Sequence, residues 1–282
     1  MRLDDLRPTS NVDDRRGISS GHIALGGGGL GLVVLVVALL LGADPSQLLN
    51  GSVETNAPSG YTQTGPRQDD AALAFARKIV GSTEDVWTPI LAARGIQYEP
   101  AILTPYDYQT PTGCGEGSAS AGPFYCPEDR RVYIDLSFFN ELKERFGAPG
   151  DFARAYVVAH EVGHNVQNVL GTMDRERGAL ESDSARGATG ASVRLELQAD
   201  CYAGVWARRA DQQFHILEQG DVEEGLGAAS AVGDDTLQKE SRGYVVPDSF
   251  THGTSEQRVR WFKRGLERGN MDDCNTFSAE QL

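Results

Sequence analysis

The chain opens on residues 1–22, polar and charged and without apolar periodicity, which predicts a disordered cytoplasmic tail. Nineteen uncharged residues follow, Ile23 to Leu41, reading IALGGGGLGLVVLVVALLL. A helix rises about 1.5 Å per residue, so this run can cross most of a bilayer core of about 30 Å. Its polar flanks and lack of a polar face argue against a buried core helix. A cleaved signal peptide is the stronger rival, but the leading segment is long, and Leu41 stands where a small residue is wanted before a cut after Ala43. Residues 23–43 are therefore expected to form one retained transmembrane anchor. Residues 44–67, rich in Ser, Thr, Asn, Gly and Pro, read as a flexible linker.

From residue 68 to 282 the pattern is that of one folded domain. Ala71, Leu73, Ala74, Ile79 and Val80 have helical spacing. A second helix around Val86, Trp87 and Ile90 can be capped by Ser82 or Thr83 and ended by Gly95. Tyr98–Tyr106 looks extended, and Cys114–Cys126 reads as a turn-rich loop. Arg131–Leu136 alternates with β-branched and aromatic residues, so it is a strand. A short helix over Ser137–Phe146 precedes a longer one capped by Asp151 and stopped by Gly171. Residues 174–190 read as a charged loop. Further helices fit 192–213, 217–230 and 254–268. The fold class is α+β, mainly helical with a small β-sheet.

Charge narrows the partners. Net charge is −14 over 282 residues, which argues against nucleic acid. Arg2, Arg7, Arg15 and Arg16 precede the apolar run, and no Lys or Arg follows it until Arg67. The positive-inside bias then puts the N-terminus in the cytoplasm and the domain outside the cell membrane. The four cysteines, Cys114, Cys126, Cys201 and Cys274, all follow the run, where an oxidising compartment permits disulfides. Three pairings are possible. Spacing favours Cys114 with Cys126 and Cys201 with Cys274, and the absence of CxxC argues against zinc on sulfur.

Candidate chemistry centres on His160-Glu161-Val162-Gly163-His164, inside the helix capped by Asp151. Residues i and i+4 share a helix face, so both imidazoles can hold one Zn2+ ion. Glu161 follows the first ligand and can take a proton from a zinc-activated water, then pass it to a leaving amine. Three protein ligands are usual in a catalytic zinc site. Glu196 on the next long helix is the candidate third. Asp200, one turn further on, can accept an imidazole N–H and fix its tautomer. The bland reading of Glu196 and Asp200 is two surface acids. His252 precedes the last long helix, where Thr254 and Gln257 match a capping box. That cap is the structural reading of the stretch; the chemical one has His252 and Arg258 donating to an oxyanion. His215 reads as a surface residue, and His22 carries no chemistry.

These stretches resemble the bacterial membrane-anchored neutral zinc metallopeptidases. The resemblance runs over roughly residues 68–275 and rests on CGEGSASAGPFYCPEDRRVYIDLSFF, AYVVAHEVGHNVQN, RLELQADCYAGVW and DSFTHGTSEQRVRWF. It implies a zincin-like peptidase domain, a short N-terminal anchor and an extracytoplasmic catalytic part. More distantly, HExxH, then Glu-x-x-x-Asp, then Thr-His with Arg six residues on is similar to the membrane-associated gluzincin peptidases. That likeness implies His160, His164 and Glu196 as ligands, Glu161 as base, Asp200 as partner of a ligand, and His252 and Arg258 at the oxyanion. Gly253 departs from it, since those enzymes often have Pro there. The likeness also implies a strand edge near the active helix, around Tyr133, that pairs with substrate.

The expected activity is a zinc-dependent endopeptidase acting on peptide or protein substrates. One alternative is a catalytically silent zinc-fold scaffold, which would have no use for the base Glu161. Another is an amidase acting on cell-wall peptides.

Overall fold

The computed structural model describes residues 1–17 and 67–282. The anchor expected over 23–43 and nearly all of the linker lie outside the described residues. Among the described residues no helix is long and apolar enough to cross a membrane. Met1–Arg16 and Gln68–Leu282 form one compact unit.

Helix α1 runs unbroken over Asp70–Ala92. The expected division near Ser82 is corrected. Ser82 and Thr83 are buried, and their hydroxyls donate to the carbonyls of Ile79 and Val80 at 2.7 and 2.6 Å. Bonding back into the preceding turn leaves neither free to cap a new helix.

The strands are β1 (Ile102–Tyr106), β2 (Gln109–Thr112), β3 (Gly115–Ser118), β4 (Phe124–Cys126) and β5 (Arg131–Asp135). The alternating segment forms β5, the centre of a three-stranded sheet, parallel to β1 and antiparallel to β4. β2 and β3 make a separate hairpin. The Cys114–Cys126 segment thus contains β3 and β4 rather than being all turn. The Cys114–Cys126 disulfide fastens the hairpin's exposed turn to buried Cys126 of β4.

The helices continue as α2 (Phe138–Glu144), α3 (Asp151–Val169), α4 (Thr172–Arg175), α5 (Arg177–Leu180), α6 (Ala191–Phe214), α7 (Asp221–Ala231), α8 (Asp234–Arg242) and α9 (Ser255–Arg268). Gly150, not Asp151, stands at the start of α3, and Glu224 of α7 accepts the free N–H of Phe152 at 3.1 Å. Short helices α4 and α5 occupy part of the expected loop over 174–190, and α8 was not foreseen. The capping box of Thr254 and Gln257 opens α9. α9 lies directly on α6: a Cβ on Gly204 would stand 2.1 Å from the Phe262 carbonyl oxygen, and one on Gly265 2.0 Å from that of Cys201. The Cys201–Cys274 disulfide closes the chain end onto the same helix.

The expected disorder of residues 1–22 is corrected for residues 1–16. Leu6 is buried, and Lys78 Nζ donates to the Leu3 carbonyl at 2.9 Å. Val12 lies parallel to Leu103 on the outer side of β1. Main-chain bonds and ion pairs, which apolar periodicity does not report, carry this docking.

Replacing Cys201 and Cys274 together by Ala should lower stability by about 4 kcal/mol, the chain-entropy expectation for a separation of 73 residues. Urea denaturation reads this directly. A loss under about 1 kcal/mol would mean that the tail is held by packing alone.

Candidate metal centre

α3 brings His160, Glu161 and His164 to its inner face, all buried. They can meet α6 closely because residue 163 is glycine: a Cβ there would lie 2.9 Å from the Ala199 carbonyl oxygen. That approach sets Glu196 across from both rings. His160 Nε2 is 3.2 Å from Glu196 Oε2, and His164 Nε2 is 3.5 Å from Oε1. One ligand atom from each of the three residues lies within 4.8 Å of the others.

The far nitrogen of each ring has its own partner. His160 Nδ1 is 2.8 Å from Asp200 Oδ1, and His164 Nδ1 is 2.8 Å from Gln167 Oε1. An imidazole that donates through Nδ1 keeps its lone pair on Nε2, the tautomer a metal needs. Gln167 is fixed in turn by donating to the Leu195 carbonyl at 2.7 Å. Asp200 is fully buried and also accepts from Arg258 Nε and Nη2, each at 2.9 Å, and from Tyr156 Oη at 2.5 Å. Burial pushes the Asp200 carboxyl up, but Arg258 and His160 hold it down to about 2. Burial also opposes charge on His160, yet Asp200 and Glu196 raise its pKa to about 10. Glu161 is raised by burial, with the two imidazoles opposing.

Tyr156 and Gln167 were not singled out from the sequence. Tyr156 precedes His160 by four residues and Gln167 follows His164 by three, so helical spacing held the signal.

His252 is half exposed on the rim of the cleft. Asp234 positions its loop: Oδ2 accepts the N–H groups of Thr251, His252 and Gly253 at 2.8, 2.7 and 3.0 Å. Gly253 sits at φ 91°, which proline cannot reach, so this loop has its own path. Arg258, expected at the oxyanion, also borders the cleft. Its side chain is buried, and its donors go to Asp200, Tyr156 and the Val232 carbonyl. It positions Asp200.

A cleft of 1090 Å³ opens over these residues. Phe124 and Tyr125 of β4 line it. Tyr125 Oη donates to Asn165 Oδ1 and accepts from Asn168 Nδ2, both at 2.9 Å, tying β4 to α3. Tyr133 is buried in the central strand and donates to Asp129 at 2.7 Å, a packing role. The strand edge beside the cleft is therefore that of β4, not β5.

The protein family described as "Putative neutral zinc metallopeptidase" matches residues 1–277, so the likeness includes the N-terminal segment. Uncharacterized protein YpfJ of Escherichia coli K12 is 46% identical over 98% of this chain and 99% of its own length. Uncharacterized protein Rv2575 of Mycobacterium tuberculosis H37Rv is 40% identical over 87% of this chain and 86% of its own. No solved structure matches the chain.

Gln167→Leu should keep the fold and weaken zinc binding by about 10–100-fold, read by competition with a chromophoric chelator. Unchanged affinity would mean that helix packing alone holds the His164 ring. Asp200→Asn strands the Arg258 charge in the interior, and urea titration of the metal-free protein should show a loss of about 3–5 kcal/mol.

Proposed function

The chain belongs to the neutral zinc metallopeptidase family, and from that membership we propose a zinc-dependent endopeptidase with His160, His164 and Glu196 as ligands and Glu161 as general base. The observation that carries this reading is the convergence of two imidazole nitrogens and one carboxylate within 4.8 Å, each imidazole backed by an acceptor on its other nitrogen. Two histidines and a glutamate form a donor set suited to catalytic zinc. Zinc held there supplies Lewis acidity, which polarises a carbonyl and lowers the pKa of water.

Glu161, buried beside the ligands and with a raised pKa, takes a proton from the attacking water and delivers it to the departing amine. His252 lines the same cleft as this base. Burial opposes its charge, but Glu196 and Asp234 raise its pKa, which suits a donor to a developing oxyanion. The free edge of β4 offers main-chain groups for an extended peptide, with Phe124 and Tyr125 beside it. The two disulfides support a domain that works outside the cytoplasm, and the apolar run 23–41 supports attachment to the membrane. The retained base weighs against a silent scaffold.

Glu161→Gln keeps size and polarity and leaves the ligands alone. It should retain zinc by metal analysis while hydrolysis of a peptide library falls by at least about 100-fold. Wild-type turnover in that variant would remove Glu161 as the base. Glu196→Ala should lose stoichiometric zinc, and full zinc content would displace it as third ligand. Cleavage confined to cell-wall peptides would turn the reading to an amidase.

A further inference from the structure

Residues 1–16 are held to the peptidase unit by contacts that both partners are built to make. The Leu103 N–H donates to the Asn11 carbonyl, while the N–H groups of Asp13 and Arg15 donate to the carbonyls of Leu103 and Pro105, each at 2.9 Å. This adds a parallel bridge at Val12 to the sheet, on the side of β1 where Pro105 has no N–H to offer. In α1, a Cβ on Gly81 would stand 2.2 Å from the Arg7 carbonyl oxygen, so glycine makes room for the segment. Buried Glu84 accepts from Arg7 and Asn11, both at 2.9 Å, and from the Thr9 hydroxyl. Without residues 7–11 that carboxylate loses all three donors. Arg131 of β5 reaches Asp13 at 2.6 Å.

The segment also ends where the domain begins. Arg16 pairs with Asp69 and Asp70, at the start of α1, at 2.9 and 3.1 Å. The chain between Arg16 and Asp69 therefore leaves and returns at one place on the unit.

We infer that residues 1–16 and the peptidase unit stand on the same side of the membrane, so that the apolar run 23–41 does not cross it once between them. A chain that begins and ends on one side crosses an even number of times. Two helical crossings need about 40 apolar residues. Residues 44–66 supply none of the second set, being polar and carrying Asp44 and Glu54. The run itself spends five glycines within residues 23–31, each costing about 1 kcal/mol of helix propensity. Its glycine-free part, Leu32–Leu41, reaches about 15 Å as a helix, half of a bilayer core. Three of the four basic residues that favoured a cytoplasmic N-terminus are engaged within the unit: Arg7 with Glu84 and Asp85, Arg15 with Asp13 and the Pro111 carbonyl, Arg16 with Asp14, Asp69 and Asp70. The inference does not rest on the peptidase reading.

The test uses the full chain in its native membrane, with one cysteine added at a time to a protein whose four cysteines are paired. Asp5→Cys and Glu267→Cys, both at exposed positions, are treated with a membrane-impermeant maleimide before and after permeabilisation, and labelling is read by mass. The expected result is the same pattern for both sites, either labelled from the start or labelled only after permeabilisation. Opposite patterns would overturn the inference. As a second measurement, Gly81→Leu should expel the segment and speed tryptic cleavage at Arg16 by at least about tenfold over wild type. Equal rates would mean that the segment is not docked in the membrane-bound protein, and would overturn it as well.

Discussion

A buried carboxylate costs several kcal/mol unless charge and hydrogen bonds answer it on every side. Asp200 is answered by three partners: Arg258 on α9, Tyr156 and His160 on α3. Those bonds join the three helices that build the site. The α6–α9 contact at Gly204 and Gly265 brings Arg258 within reach, and the α3–α6 contact at Gly163 brings His160. The orientation of the first ligand is thus a property of the core. Glu196, one turn before Asp200 on α6, takes its position from the same anchoring.

The parts of the site that follow from helical periodicity were legible in the sequence. His160 and His164 share a face by spacing alone, and so do Glu196 and Asp200 on the second helix. Tyr156 and Gln167 obey the same rule but are common residue types with no chemical signature of their own. The contacts of Arg258 were not legible, because spacing gives a residue's place along a helix and not the direction of a long side chain. Its guanidinium turns inward to the buried Asp200 carboxylate.

The fold was legible where apolar patterning governs it. α3, α6, α9 and β5 came out close to their expected bounds. Ser82 and Thr83 misled because the same hydroxyl that caps a helix start can bond back within a helix, and the choice depends on what α1 packs against. Here Trp206 donates to Ser82 Oγ at 3.0 Å. Residues 1–16 misled for a different reason. Their composition is that of a solvated tail, and their attachment runs through main-chain bonds and ion pairs to residues more than fifty positions away.

Residues 11–15 also dispose of a hazard. The side of β1 that they cover belongs to a strand buried from Leu103 to Tyr106. Left bare, it would present free carbonyls and an N–H beside apolar side chains, a template on which another copy can stack. A shortened chain starting at residue 68 carries that sticky border into solution. Its yield and colloidal behaviour then depend on sixteen residues far from the catalytic cleft.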